Sequence, residues 1–173
     1  MAILVLISGS NNSGKSIYAE QLIAKTTGDR YYIATMCPCT EDNHRRIEKH
    51  RVQRQGLGFD TIECPYQVGN ALVSSGGVVL LEDVSNLMAN AMFEKGGNSD
   101  SVFRDICALA DRCRILVAVT IAGLKDDGYD EETATYVNGL NEINRKLFDK
   151  ASVAISMQKG TPVYQKGDVH VIN

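Results

Sequence analysis

Two rhythms of apolar residues alternate along the chain. Continuous runs such as Met1-Ala-Ile-Leu-Val-Leu-Ile7, Val78-Val79-Leu80-Leu81 and Ile115-Leu116-Val117-Ala118-Val119 read as buried strands. Between such runs the apolar positions fall three or four apart. Ala134, Val137, Leu140, Ile143 and Leu147 form a stripe of this kind, the face of a helix packed on a sheet. Strands are expected over 2–8, 30–35, 59–63, 77–82, 114–120 and 152–157, with a terminal hairpin over 161–172. Helices are expected over 15–26, 41–55, 85–95, 100–112 and 131–149. The alternation predicts an α/β fold, a mostly parallel sheet with helices on both faces and a C-terminal hairpin. Gly96-Gly97-Asn98-Ser99 separates two helices, and Asp126-Asp127-Gly128-Tyr129-Asp130 is a polar loop after a strand. Without a Pro/Ser-rich linker, repeat or low-complexity tract, residues 1–173 are expected to form a single domain.

The turn after the first strand changes this from a fold class to a chemistry. Gly9, Ser10, Asn11, Asn12, Ser13, Gly14, Lys15 and Ser16 fit G-x-x-x-x-G-K-[ST]. A strand precedes them, and Ile17-Tyr-Ala-Glu-Gln-Leu-Ile-Ala24 follows with helical spacing. Strand, glycine-rich turn and helix N-terminus together make an anion cradle, because loop N–H groups and the helix dipole point at one place. The fold is therefore expected to be P-loop NTPase-like. Lys15 is expected to reach the outer phosphates and the Ser16 hydroxyl to ligate Mg²⁺.

Such a loop needs an acidic partner at the C-terminal end of a neighbouring buried strand. Val78-Val79-Leu80-Leu81-Glu82-Asp83 supplies Glu82 as the expected metal partner. Asp83 suits either that role or the cap of the next helix.

The segment Arg45-Arg46-Ile47-Glu48-Lys49-His50-Arg51-Val52-Gln53-Arg54 is strongly basic. Residues four apart share a helix face, which lines up Arg46, His50 and Arg54. An imidazole between guanidinium groups suits a phosphorus centre. Neutral histidine can attack phosphorus, and arginines neutralise the charge that builds on the oxygens. A solvated charged helix face would have the same letters. His44 lies off the line and His170 has no acid partner close in sequence; both read as structural or surface residues.

Bulk composition excludes more than it assigns. The 173 residues carry a net charge of −3, which gives no global argument for nucleic acid. No apolar run approaches the ~20 residues of a membrane-spanning helix. Met1 leads directly into the first strand, so no signal peptide is expected. Five cysteines occur, at 37, 39, 64, 107 and 113, with Cys37-Pro38-Cys39 the only close pair. No second Cys/His cluster completes a zinc site, so reduced thiols and a cytoplasmic location are expected.

In order and spacing, these blocks resemble the bifunctional adenosylcobinamide kinase/adenosylcobinamide-phosphate guanylyltransferases of cobalamin biosynthesis. The phosphate loop is followed by Ala19-Glu20, then by Tyr32-Ile33-Ala34-Thr35. Arg46-Ile47-x-x-His50-Arg51-x-x-Arg54 is similar to the family's R-I-x-x-H-[KR]-x-x-R helix. Thr61-x-Glu63-Cys64, Leu80-Leu81-Glu82, Asn90 and Asn144 fall in matching places. The resemblance implies a transferase in which GTP donates GMP to His50 and the nucleotide then passes to adenosylcobinamide phosphate. It also implies phosphorylation of the corrinoid substrate, adenosylcobinamide, with ATP or GTP and Mg²⁺, and a homotrimer. By the same match Thr35, Arg51, Arg54, Glu63 and Glu82 lie at nucleotide-contacting positions. The chain departs from the family pattern at Asn12, where the family has Arg. It departs again after the fifth strand, where Thr120-Ile121-Ala122-Gly123 keeps only the glycine of N-E-V-G. Another small-molecule kinase on this fold, or a nucleotide-binding regulator without catalysis, would share the loop but not the covalent histidine.

Overall fold

A computed structural model describes residues 2–172. Its strands are β1 (Ile3–Gly9), β2 (Arg30–Ala34), β3 (Phe59–Glu63), β4 (Val78–Glu82), β5 (Ile115–Ile121), β6 (Val153–Gln158) and β7 (Thr161–Lys166). They form a seven-stranded sheet in the order β3-β2-β4-β5-β1-β6-β7. Every pairing is parallel except β6 with β7. The helices are α1 (Lys15–Ala24), α2 (Glu41–Gln53), α3 (Val84–Lys95), α4 (Ser99–Ala110) and α5 (Glu131–Lys150). Strand bounds agree with the sequence expectation to within one residue and helix bounds to within two.

The continuous apolar strands do cover both faces. Leu4, Leu6, Val79, Leu81, Leu116 and Ala118 pack toward α3, α4 and α5. Their alternate neighbours Val5, Ile7, Val78, Leu80, Ile115, Val117 and Val119 pack toward Ala19, Leu22 and Ile23 of α1. The period-two switch of side is the pleat of a strand buried on both sides. The stripe read on α5 enters this core, with Val137 at 2% exposure and Leu140, Ile143 and Leu147 at 0%. Gly139 permits the close packing of α5 on α3, since a Cβ there would lie 2.6 Å from Met88 Cε.

Three expectations are corrected. The terminal hairpin does not span 161–172; it joins β6 to β7 through the tight turn Lys159-Gly160. Both turn residues have positive φ, 50° and 81°, as a two-residue hairpin turn requires. After β7 the backbone turns at Gly167, and the last described residues, Val169–Ile172, form a short 3-10 helix. The second correction concerns the acidic strand. β4 is not hydrogen-bonded to β1, because β5 lies between them. The third concerns the thiols: Cys37 and Cys39 form a disulfide, their Cα atoms 5.4 Å apart. With only Pro38 between them, the two cysteines stand within the Cα separation a disulfide needs. Cys64, Cys107 and Cys113 are free. No helix among the described residues is long and apolar enough to cross a membrane.

Candidate active site

The site lies at the C-terminal edge of the parallel strands, where β1 and β4 release their loops on either side of β5. Gly9 ends β1, and a Cβ there would stand 2.5 Å from Ser13 Oγ and 2.9 Å from the Met157 carbonyl. The loop closes over that gap, with Asn12 at φ 57° and Gly14 at φ 89°. Both lie in the left-handed region, open to glycine and tolerated by asparagine. The β6–β7 turn supports the loop from outside through Gly160 N–H donating to the Ser13 carbonyl at 3.1 Å.

The start of α1 differs from that of the other helices. Thr40, Asp83, Asn98 and Asp130 cap α2, α3, α4 and α5 with side-chain oxygens. Gly14 offers α1 no side-chain cap. The first N–H groups of α1 therefore have no side-chain acceptor, and they open on a cavity at this edge. That is the arrangement by which a helix N-terminus holds a phosphate. Lys15 Nζ donates to the Ser10 carbonyl at 2.6 Å, folded back along the loop. Burial lowers the Lys15 pKa, opposed by the charges of Glu82 and Asp83.

Ser16 Oγ donates to Glu82 Oε1 at 2.7 Å. α1 reaches β4 because it packs across β5 and β4 on its way down the sheet. Glu82 Oε2 is buried and has no partner. Burial first, then the Asp83 charge, pushes the Glu82 carboxyl up to about 8, opposed by the Ser16 hydrogen bond. Two hard oxygen donors side by side, one with an unused buried lone pair, fit a small divalent cation such as Mg²⁺. Asp83 takes the other role open to it: its Oδ1 accepts from Asn86 N–H at 2.8 Å and Ser85 Oγ at 2.7 Å, capping α3.

Thr35 is fully buried, and its hydroxyl faces away from the open cavity. Its Oγ1 accepts from Asp83 N–H at 2.8 Å and donates toward the carbonyls of Glu82 and Asp83. Asn90 Nδ2 holds the Thr35 carbonyl at 2.7 Å. Thr35 thus fixes the backbone that carries Glu82. Asn144 accepts from Thr120 Oγ1 at 2.6 Å and donates to the Ile121 carbonyl at 2.8 Å, tying α5 to the end of β5.

α2 forms the opposite wall. A cavity of about 490 Å³ is lined by residues 11–17 of the loop and α1, by Glu82, Asp83 and Ile121, and by Arg46, Lys49, His50 and Gln53. The residues from α2 follow i, i+3, i+4, i+7 spacing, a single helix face. Arg46 and His50 were named from the sequence; Lys49 and Gln53 were missed, although the same spacing would have found them. His50 Nδ1 is buried without a partner. Burial lowers the His50 pKa, followed by the charges of Arg46 and Arg54, with Asp83 opposing and Lys49 adding to the depression. The neutral imidazole is favoured at neutral pH.

Arg54 does not share the open face. It caps the C-terminus of α2 and lies over the Tyr32 ring, 3.9 Å from Cζ to the centroid, with Nη2 donating to Thr61 Oγ1 at 3.0 Å. There it borders a smaller cavity of about 40 Å³ with Tyr32, Met36, Arg46, His50 and Asn86. Arg51 and Glu63 are exposed and pair with each other at 3.4 Å, outside the lining of both cavities. His44 is exposed, and His170 lies in the terminal 3-10 helix. Among the described residues, no group of three His, Cys, Asp or Glu side chains could hold a metal.

Known proteins resemble the chain in sequence and in fold. A solved structure of a prototypical ATPase from the type III secretion system of pathogenic bacteria aligns over 91% of this chain and 51% of its own, with a TM-score of 0.55 and 11% identity. That similarity concerns the fold. The bifunctional adenosylcobalamin biosynthesis protein CobU of Escherichia coli strain K12 is 33% identical over 101 residues, 57% of this chain. Its counterpart in Salmonella typhimurium is 28% identical over 123 residues, 67% of this chain. The aligned parts span 55% and 67% of the lengths of those relatives. Residues 5–164, which include the phosphate loop, α2 and Glu82, match the family described as cobinamide kinase / cobinamide phosphate guanyltransferase. The chain belongs to that family.

Proposed function

We propose that this chain is an adenosylcobinamide kinase and adenosylcobinamide-phosphate guanylyltransferase that passes GMP through His50. The observation that carries the reading is the single cavity in which His50 and Arg46 face the phosphate loop and Glu82. The relatives named as bifunctional adenosylcobalamin biosynthesis proteins support the same assignment.

In this reading the amides of Asn12 to Ser16 and the Lys15 ammonium hold the outer phosphates of a nucleoside triphosphate. Ser16 and Glu82 would hold Mg²⁺, which draws charge from the phosphate oxygens when bound. Neutral His50 attacks the α-phosphorus of GTP through one ring nitrogen. An N–P bond forms, the α–β bridging P–O bond breaks, and pyrophosphate leaves with the electron pair. Arg46 and Lys49 neutralise the oxygens that gain charge. A phosphate oxygen of adenosylcobinamide phosphate then attacks the same phosphorus, the N–P bond breaks, and the imidazole returns to its neutral form. In the kinase step a hydroxyl of adenosylcobinamide attacks the γ-phosphorus of ATP or GTP, loses its proton to solvent or base, and releases the nucleoside diphosphate. Thr35 and Arg54 act by holding Glu82 and the end of α2. Arg51 and Glu63 belong to nucleotide contact only if α2 or a neighbouring subunit brings them to the site. Assembly as a homotrimer is part of the proposal, and analytical ultracentrifugation tests it.

The deciding experiment incubates the protein with labelled GTP and Mg²⁺, with and without adenosylcobinamide, followed by mass analysis of protein and corrinoid. An acid-labile GMP adduct on His50, discharged by phosphorylated corrinoid, is expected. Phosphoryl transfer without any protein adduct would leave the kinase alone. GTP binding without transfer of either group would reduce the chain to a nucleotide-binding protein.

A further inference from the structure

α2 carries His50, yet it buries none of its own residues. Its sequence is charged on nearly every face, so no apolar stripe seats it on the sheet. Polar contacts hold it instead: Asn43 Nδ2 donates to the Cys37 carbonyl at 2.8 Å at its start, and the others lie near its C-terminal end. Arg54 stacks on Tyr32, and Arg51 makes an exposed ion pair with Glu63. Another contact reaches α1: Gln53 Nε2 donates to Glu20 Oε2 at 2.7 Å.

Glu20 is an unusual residue for a helix flank. It is 2% exposed, and its other oxygen, Oε1, is buried without a partner. A carboxyl in such a place is costly unless its burial serves a contact. It stands one helical turn after Ser16, on the helix whose first turn faces the cavity. Gln53 stands three residues after His50 and lines that cavity too. The Glu20–Gln53 bond therefore joins the phosphate-loop helix to the histidine helix. Burial raises the Glu20 pKa, with the Gln53 hydrogen bond and Arg54 opposing.

We infer that Glu20 is a positioning residue that fixes α2, and with it His50, over the phosphate loop. The proposal rests on the reading of His50 above for its chemical consequence, though not for the tether itself. Glu20 touches neither phosphate nor corrinoid in this role. It acts through Gln53, and any side chain that accepts the same hydrogen bond from a buried position should replace it.

The test compares Glu20→Ala, Glu20→Gln and Gln53→Ala with the wild-type chain. Amide hydrogen exchange reads the tether directly. Exchange over Glu41–Gln53 should quicken in E20A and Q53A but not in E20Q, while α1 keeps its protection. With labelled GTP, E20A and Q53A should form the His50 adduct about tenfold more slowly, the loss of one hydrogen bond. Nucleotide affinity in E20A should stay within about twofold, and E20Q should recover most of the labelling rate. If E20A loosens α1 as well, Q53A decides, because Gln53 is half-exposed and lies outside the core. Unchanged exchange over α2 in both alanine variants overturns the tether. Weakened nucleotide affinity that parallels the labelling loss would make Glu20 a support of the phosphate loop, and also overturns it. Absence of any His50 adduct in the wild type defeats the functional reading alone; the exchange result still stands.

Discussion

Ser16 Oγ lies 2.7 Å from Glu82 Oε1, joining the first turn of α1 to the end of a strand two places away in the sheet. Neither residue reaches the other along the backbone. α1 crosses over β5 to bring them together. The pair places the two expected Mg²⁺ ligands at one point, beside a cavity walled by the phosphate loop.

Ser16→Ala should leave Glu82 with both oxygens unpartnered and lower Mg²⁺-dependent nucleotide affinity by about 10- to 100-fold, the range of hydrogen bonds to charged groups. Glu82→Gln should do the same. The double variant should lose little more than either single one, because the two residues act on one ion. Titration calorimetry with Mg²⁺ and with EDTA measures all three, and additive losses would separate the residues.

With Mg²⁺ saturating, so that Glu82 stays ionised, the guanylyl transfer rate should hold to below pH 6.5, the ordinary histidine value, before it falls. Burial and the charges of Arg46, Arg54 and Lys49 lower the His50 pKa, while Asp83 alone pulls the other way. Acid protonates the imidazole and removes its lone pair, so activity is lost as pH falls through the depressed pKa. Arg46→Gln should shift that acid limb upward in pH. A limb that stays in place in the variant would show that another group controls it. His50→Gln should abolish labelling and keep nucleotide affinity within a few-fold, as expected for a group used in the transition state.

Gly9→Ala should weaken nucleotide binding by at least tenfold with a smaller effect on the fold. The added Cβ would meet Ser13 Oγ at 2.5 Å and the Met157 carbonyl at 2.9 Å. The loop has to open to relieve that contact, which displaces the amides that would face phosphate. Equilibrium dialysis with labelled nucleotide checks the first part, and thermal unfolding the second.

Asp83→Ala should cost about 1 kcal/mol of stability through loss of the α3 cap, a fall in Tm of about 2–4 °C. Asp83→Asn keeps an accepting oxygen for Asn86 N–H and should lose much less. Differential scanning calorimetry distinguishes the two. Equal losses would place the effect in the carboxylate charge.

The disulfide gives a covalent prediction. Without reductant, a maleimide reagent should leave the peptide with Cys37 and Cys39 unmodified, and two additions should appear after reduction. Cys113, at 6% exposure, should react only on unfolding. Peptide mass mapping reads each site.

Much of this molecule is written in local patterns. The runs at Val78–Leu81 and Ile115–Val119 determined buried parallel strands, because only strands covered twice need apolar residues at successive positions. The α5 stripe determined a helix on a sheet, and the eight residues from Gly9 to Ser16 determined a glycine-rich turn from a strand into a helix. These readings rest on periodicity and turn stereochemistry, which act within a few residues. The order of strands, the tight turn at Lys159-Gly160 and the covalent pairing of Cys37 with Cys39 depended on which segments meet, and only the tertiary structure decided them. The same holds within the site. Sequence placed Arg46, His50 and Arg54 on one line, yet Arg54 turns under α2 to the Tyr32 ring while Lys49 and Gln53 face the cavity. Glu20 shows the reason most plainly. A glutamate on a helix flank reads as solvated, yet Glu20 is 2% exposed and accepts a hydrogen bond from Gln53 of α2. Burial is a property of neighbours, and those neighbours lie far away in the sequence.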